Sequence, residues 1–175
     1  MEENKKNIVI IGDGYVGKTS ILNSIKEQKF EEQIPNVYDD FEWIQTINGK
    51  QYRLKFIDTA GQEEFAMIRK LSYKEANVFL LCFAVDDKVS YENMETKWVP
   101  DLEEYSDVPI ILLGTKSDLR KNKSNCISRD EINRFQKKIG ALFYVECSAK
   151  TLAGIEDLKK RILKFVAKER SCVIQ

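Results

Sequence analysis

The sequence contains no histidine, and its 28 lysine and arginine residues are matched by 28 aspartate and glutamate residues. No imidazole is therefore available to activate a water molecule, and the zero net charge removes any broad electrostatic ground for nucleic-acid binding. No apolar run is long enough to span a bilayer, and no secretory leader opens the chain. The four cysteines are not spaced as zinc ligands. Cys82 lies in an apolar run, Cys126 in a polar connection and Cys147 near a loop, so free cytosolic thiols are the simplest account. No internal repeat is visible.

What remains is the composition of one compact domain, with 175 residues, 43% hydrophobic and 32% charged. The expected domain covers residues 1–170, with a tail over 171–175. Apolar runs at 8–11, 54–57, 78–85, 110–113 and 142–145 read as buried strands. Residues 41–47 alternate around Phe41 and Trp43 before Asn48 and Gly49, which predicts an antiparallel edge strand closed by a hairpin. Helices are expected at 17–25, 90–105, 129–139 and 155–169. The predicted fold is α/β, a six-stranded and mostly parallel sheet with one antiparallel edge strand and helices on both faces.

Residues 12–19 read GDGYVGKT directly after the run Ile8 to Ile11. Glycine, four residues, glycine, lysine, threonine between a strand and a helix is the spacing of a phosphate-binding loop. Gly12, Gly14 and Gly17 permit tight turns and a close approach of backbone amides to phosphate, with Asp13, Tyr15 and Val16 between them. Lys18 adds charge, Thr19 offers a hydroxyl to magnesium, and Ser20 continues into a helix whose positive end faces the same anion. The three glycines also fit a dinucleotide fingerprint, with Asp39 or Asp40 as its acidic residue, but that reading leaves Lys18 and Thr19 without a role.

A second constellation runs from Lys55 to Glu63. Asp58 ends an apolar strand where its carboxylate can reach magnesium, the Gly61 amide can meet a terminal phosphate, and Gln62 can orient an attacking water. The third follows Ile110 to Leu113, where Gly114 leads into Thr115, Lys116, Ser117, Asp118 and Leu119. A carboxylate at Asp118 can accept from the ring nitrogen and exocyclic amino group of guanine, and adenine has no matching pair of donors. The Lys116 stem and Phe30 are candidates to cover the two faces of the base. Ser148, Ala149 and Lys150 follow the last strand, Phe143 to Val145, with a backbone amide for the guanine oxygen.

GDGYVGKT at 12–19, DTAGQE at 58–63, TKSD at 115–118 and SAK at 148–150 together resemble the Ras superfamily of small GTPases over nearly the whole chain. KWVP around Trp98, Val99 and Pro100, TKSDLR at 115–120 and LSY at 71–73 resemble its Rho and Rac branch. The resemblance implies GTP and GDP as ligands, Mg2+ held by Thr19, Asp58 and a switch residue, and a catalytic set of Gln62, Lys18 and Gly61. It implies slow intrinsic GTP hydrolysis, an arginine supplied by a GTPase-activating protein, and exchange factors that release GDP. Effectors such as kinases or actin regulators, and a dissociation inhibitor, are the partners expected of a Rho-like protein. Gly14 corresponds to a position near the terminal phosphate where a side chain impairs hydrolysis, so Gly14→Val favours the GTP state.

Four departures stand out. Asn36 occupies the place of the magnesium-sensing threonine, Gln33 that of a nucleotide-covering tyrosine, and Tyr15 that of a small residue. The stretch from Leu119 to Cys147 leaves room for a loop, one helix capped by Ser128 and a strand, so the Rho insert is absent or shortened. The chain ends Cys172, Val173, Ile174, Gln175, a prenylation signal that favours a farnesyl group. One lipid needs help, for which Lys159, Lys160, Arg161, Lys164, Lys168 and Arg170 are candidates. The implied location is the cytoplasmic face of a membrane, the plasma membrane foremost, with a cytosolic pool. A Ras-like switch outside the Rho pathway, and a guanine-nucleotide-binding module that switches weakly because of Asn36, are the alternatives.

Overall fold

The computed structural model describes residues 4–30, 40–62, 65–121 and 124–169. Asn36, Gln33 and the whole Cys172 tail lie outside them, as does Arg170.

Six strands form one sheet in the order β2-β3-β1-β4-β5-β6. They are β1 (Asn4–Gly12), β2 (Phe41–Ile47), β3 (Lys50–Ile57), β4 (Val78–Ala84), β5 (Ile110–Thr115) and β6 (Tyr144–Glu146). β2 pairs antiparallel with β3, Phe41 opposite Phe56, and all other pairings are parallel. The expected fold class is the observed one. The hairpin turns at Asn48 and Gly49, with φ of 49° and 74°, the double left-handed geometry that suits the right-handed twist of two strands.

The strand residues alternate between two cores. Ile8, Ile10, Leu80, Cys82, Ile111 and Leu113 face α1 (Lys18–Glu27) and α6 (Ile155–Glu169). Val9, Ile11, Phe79, Leu81, Phe83 and Leu112 face the other layer, with Tyr73, Met94, Trp98, Ile132 and Phe135. That layer comprises α2 (Ala66–Lys74), α3 (Lys88–Asn93), the short α4 (Val99–Asp101) and α5 (Arg129–Lys138). Being buried on both faces is why the central strands read as continuous apolar runs. Ser128 caps α5 as expected, in a reciprocal capping box with Glu131.

Two expectations need correction. The segment 90–105 is not one α-helix. It begins earlier, where Asp87 accepts from the amides of Val89 and Ser90, and passes through a π turn at Met94–Trp98. Pro100 has no N–H to donate, and the bond from the Val99 amide to the Met94 carbonyl carries the chain past it. The second correction is α2, which no apolar periodicity announces. Its Met67, Ile68 and Leu71 point to solvent while Arg69 and Tyr73 are buried.

Because five strands run parallel, the loops after β1, β3, β4, β5 and β6 emerge at one carboxyl edge, where ligands of open α/β sheets bind. From the 3-10 turn Ser117–Lys121 the chain passes to α5 with no helix described between them among the described residues.

Candidate functional site

The loop after β1 turns on Gly12 (φ 141°) and Gly17 (φ 97°), both in backbone conformations that side chains rarely adopt. A Cβ at Gly12 would lie 2.3 Å from the Cys82 carbonyl oxygen, so β4 also excludes one. Gly14 differs from expectation. It is not in the left-handed region, and a Cβ there meets nothing within 4 Å. Among the described residues nothing crowds Gly14, whereas Gly61 beside it is crowded. A Cβ on Gly61 would lie 2.3 Å from the Gly14 nitrogen and 2.4 Å from the Asp13 carbonyl carbon.

α1 starts at Lys18 with no side-chain cap and no acidic residue in its first turn, which leaves its amides and positive end directed at the loop. Lys18 is buried, its Nζ donating to the carbonyls of Gly12 (3.0 Å) and Asp13 (2.6 Å). Burial pulls its ammonium below the ordinary lysine value, opposed by the neighbouring Cys82, Asp58 and Asp13. Thr19 Oγ1 donates to Asp58 Oδ2 at 2.7 Å, so the two described residues expected at magnesium share one corner. A hydroxyl and a carboxylate, with no cluster of three acidic or thiol groups among the described residues, suit an ion that takes its other ligands from phosphate and water.

Thr115 fastens the loop to β5, donating to the Val16 carbonyl while lying 3.1 Å from that of Phe83. The loops after β5 and β6 are joined by Ser117 N to the Cys147 carbonyl (3.1 Å) and Cys147 N to that of Gly114 (2.8 Å). Asp118 is held by the fully buried Ser148, whose Oγ donates to Oδ1 at 2.6 Å. Ser148 therefore supports Asp118 from behind and is not among the lining residues of the cavity.

That cavity, about 320 Å³, is lined by Tyr15, Gly17, Ser20, Ile21, Phe30, Thr115, Lys116, Asp118, Leu119, Ala149 and Lys150. Every one except Ile21 is a residue that the sequence singles out. Ile21 supplies apolar surface from α1, hidden in the sequence as an ordinary core position.

Glu146 braces the strand that carries this loop. It accepts from Arg120 Nε and Nη2, both at 2.8 Å, and from the Tyr144 hydroxyl at 2.8 Å. Burial pushes its carboxyl up, but the bonds from Arg120, Tyr144 and Arg129 outweigh burial and hold it below the usual carboxylate value.

Of the lysines expected to help a lipid anchor, Lys159 is withdrawn. It is buried, ion-paired to Glu156 at 2.7 Å, with its Nζ over the Trp43 ring. Arg161 pairs with Asp157 at 3.0 Å. Lys160, Lys164 and Lys168 remain, rimming an apolar groove floored by Ile47, Leu163 and Ala167.

A glycine-turned loop at the carboxyl edge of a parallel sheet, continuous with a cavity that ends on a braced carboxylate, defines a P-loop α/β fold. The model of the family described as "Ras family" matches residues 7–168. The chain is 38% identical over 165 residues to the "Ras-like GTP-binding protein RhoL" of Drosophila melanogaster, covering 93% of this chain and 87% of that protein. The chain belongs to the Ras family, whose small GTPases bind GTP and GDP and hydrolyse GTP.

Proposed function

We propose that this chain is a Rho-like GTP switch that hydrolyses GTP slowly and acts at the cytoplasmic face of a membrane, in control of the actin cytoskeleton. The observation that carries the nucleotide reading is the glycine-turned loop, with the buried Lys18 and the Thr19–Asp58 corner, running into a cavity lined by Gly17 and Ser20 on the loop side and by the Ser148-braced Asp118 on the other. A guanine accepted by Asp118 would lie between the Lys116 stem and Phe30, with the Ala149 amide near its oxygen. Its phosphates would meet the amides of residues 14–19, and their charge would compensate the buried Lys18 ammonium.

Thr19 and Asp58, with Asn36 outside the described residues, would hold Mg2+, which when bound neutralises the charge of the outer phosphates. Gln62 would orient the attacking water and Gly61 would offer its amide to the terminal phosphate. Arg69, which lies against Gln62, is buried with its Nη1 committed to the Ala60 and Gln62 carbonyls, which supports a requirement for an arginine supplied by a partner. The exposed Phe65, Met67, Ile68 and Leu71 form an apolar surface on and beside α2, next to Gln62, suited to regulators and effectors that sense the nucleotide. The name of the fly relative and the Rho-like KWVP and LSY segments support the Rho reading. Farnesylation of Cys172, with Lys160, Lys164 and Lys168 facing anionic lipid, would supply the membrane contact.

The test is Mg2+-dependent binding of GDP and of a non-hydrolysable GTP analogue, with amide signals of residues 31–40 and 60–73 followed in both states. Tight binding with distinct spectra supports the switch. Tight binding with one spectrum in both states favours the weakly switching module, and no guanine binding removes the assignment.

A further inference from the structure

We propose that Trp98 and Arg69 are positioning residues for GTP hydrolysis, forming a buried tie between the phosphate loop and the Ala60–Gln62 segment. This rests on the GTPase reading above. The tie begins at Asp13. Its backbone carbonyl faces inward and accepts from Lys18, while its carboxylate turns outward to two short hydrogen bonds, from Asn93 Nδ2 at 2.6 Å and Trp98 Nε1 at 2.7 Å.

Those two donors are five residues apart. In an α-helix of 3.6 residues per turn they would point about 140° away from each other. The π turn at Met94–Trp98, closed by bonds between residues five apart, brings them to one side. An irregular turn placed where it delivers two donors to one phosphate-loop carboxylate has a local job.

Trp98 continues the connection. Its ring is fully buried, and the Arg69 guanidinium lies over it with Cζ 4.9 Å from the centroid. Arg69 is itself 3% exposed, and its Nη1 donates to the carbonyls of Ala60 at 2.9 Å and Gln62 at 2.6 Å. Between those carbonyls sits Gly61, pressed so closely on Asp13 and Gly14 that a Cβ cannot fit. The contacts close a ring, from Asp13 through Trp98 and Arg69 to Gln62 and back through Gly61. The backbone of the residue proposed to orient water is thereby fixed against the loop proposed to hold the phosphates.

The experiment compares wild type, Trp98→Phe, Arg69→Lys and the double variant. Phenylalanine keeps a buried ring but removes the donor to Asp13, and lysine keeps the charge but not the planar fork. GDP and GTP affinity, single-turnover GTP hydrolysis in Mg2+, and the amide signals of Gly61 and Gln62 are measured at a temperature where every variant is folded. Each single variant is expected to bind both nucleotides within about twofold of wild type and to hydrolyse about tenfold more slowly, since small misplacements of a reacting group carry large rate penalties. The Gly61 and Gln62 signals shift in both, and the double variant is no slower than the slower single, because one tie is broken once.

Folded variants that hydrolyse at the wild-type rate overturn the tie, as does a double variant whose losses multiply. Should Trp98→Phe fail to fold, Asn93→Ala, at a partly exposed position, replaces it with the same expectations at reduced size. A wild-type chain that binds no GTP overturns the GTPase reading instead, so the two failures are distinct.

Discussion

Ser148→Ala isolates how the cavity recognises its base. The Ser148 hydroxyl is fully buried, donates to Asp118 Oδ1 at 2.6 Å and accepts from the Thr151 amide at 3.1 Å. A hydrogen bond to a charged group contributes about 1.5–3 kcal/mol, so freeing the carboxylate from its fixed orientation should weaken GDP binding by about 10- to 150-fold. Affinity alone does not distinguish a misdirected carboxylate from a loosened loop, because the Thr151 amide also loses its acceptor. Inosine diphosphate makes the distinction, since its base keeps the ring N–H but lacks the exocyclic amino group. A well-aimed Asp118 should favour GDP over IDP by about tenfold or more in wild type, the worth of one charge-assisted bond. In the variant that preference should shrink to about two- or threefold, or about 0.4–0.7 kcal/mol. The assay is competition of GDP and IDP against a fluorescent nucleotide on both proteins. Equal weakening of GDP and IDP by the substitution would refute the orienting role and assign the loss to the Thr151 turn.

Gly61→Ala places a Cβ 2.3 Å from the Gly14 nitrogen, against backbone that has no flexible end to move. The chain should remain folded with the 60–62 segment displaced, and single-turnover hydrolysis should fall by at least about tenfold; an unchanged rate would show that the contact is not kept during the reaction. Glu146→Gln removes a carboxylate held below its ordinary value of 4.5. A depressed folded-state value contributes stability above the unfolded value that is lost as pH falls through the folded one, so the urea-midpoint gap between wild type and variant should be full at about pH 7 and close below about pH 4. A gap independent of pH would mean that the charge is not the source. Tyr15 sits at φ 62° with its side chain exposed, a conformation that asparagine tolerates better. Tyr15→Asn should therefore raise stability by up to about 1 kcal/mol in urea unfolding, and a lower midpoint would show that the ring makes contacts that outweigh the strain.

The sheet is readable from the chain because its strands are short apolar runs ending in glycine or a polar edge, and the nucleotide loops because each motif follows its strand at once. Residues 41–47 declare an edge strand through alternation, and Ser128 with Glu131 declares the start of α5 through its cap. The same local logic hides α2. A helix is recognised by apolar residues turned inward, whereas here Met67, Ile68 and Leu71 face solvent and the buried side of the helix carries an arginine. That inversion has two causes. The outward residues are those proposed above to meet regulators and effectors, and Arg69 is held inside by two carbonyls and an indole face that no pattern within residues 66–74 can reveal.

Lys159 teaches a related lesson about charge. In the sequence it is one of a row of cations on α6, equivalent to Lys160 or Lys164. In the fold the helix face that meets Trp43 buries it beside Glu156, so a count of basic residues overstates the charge presented outward.

Asp13 shows where local reading ends. It is plain as the second residue of GDGYVGKT, and its neighbours define a phosphate loop whatever its side chain does. Its carboxylate is satisfied by residues 80 and 85 positions away. An α-helical period applied to that distant segment sends Asn93 and Trp98 to different faces and so argues against the contact that the π turn creates. The departure from regular geometry is thus itself the information. A π turn is tolerated when long-range hydrogen bonds depend on it, and here those bonds join the phosphate loop to the segment bearing Gln62 through two residues, Trp98 and Arg69, that carry no nucleotide motif.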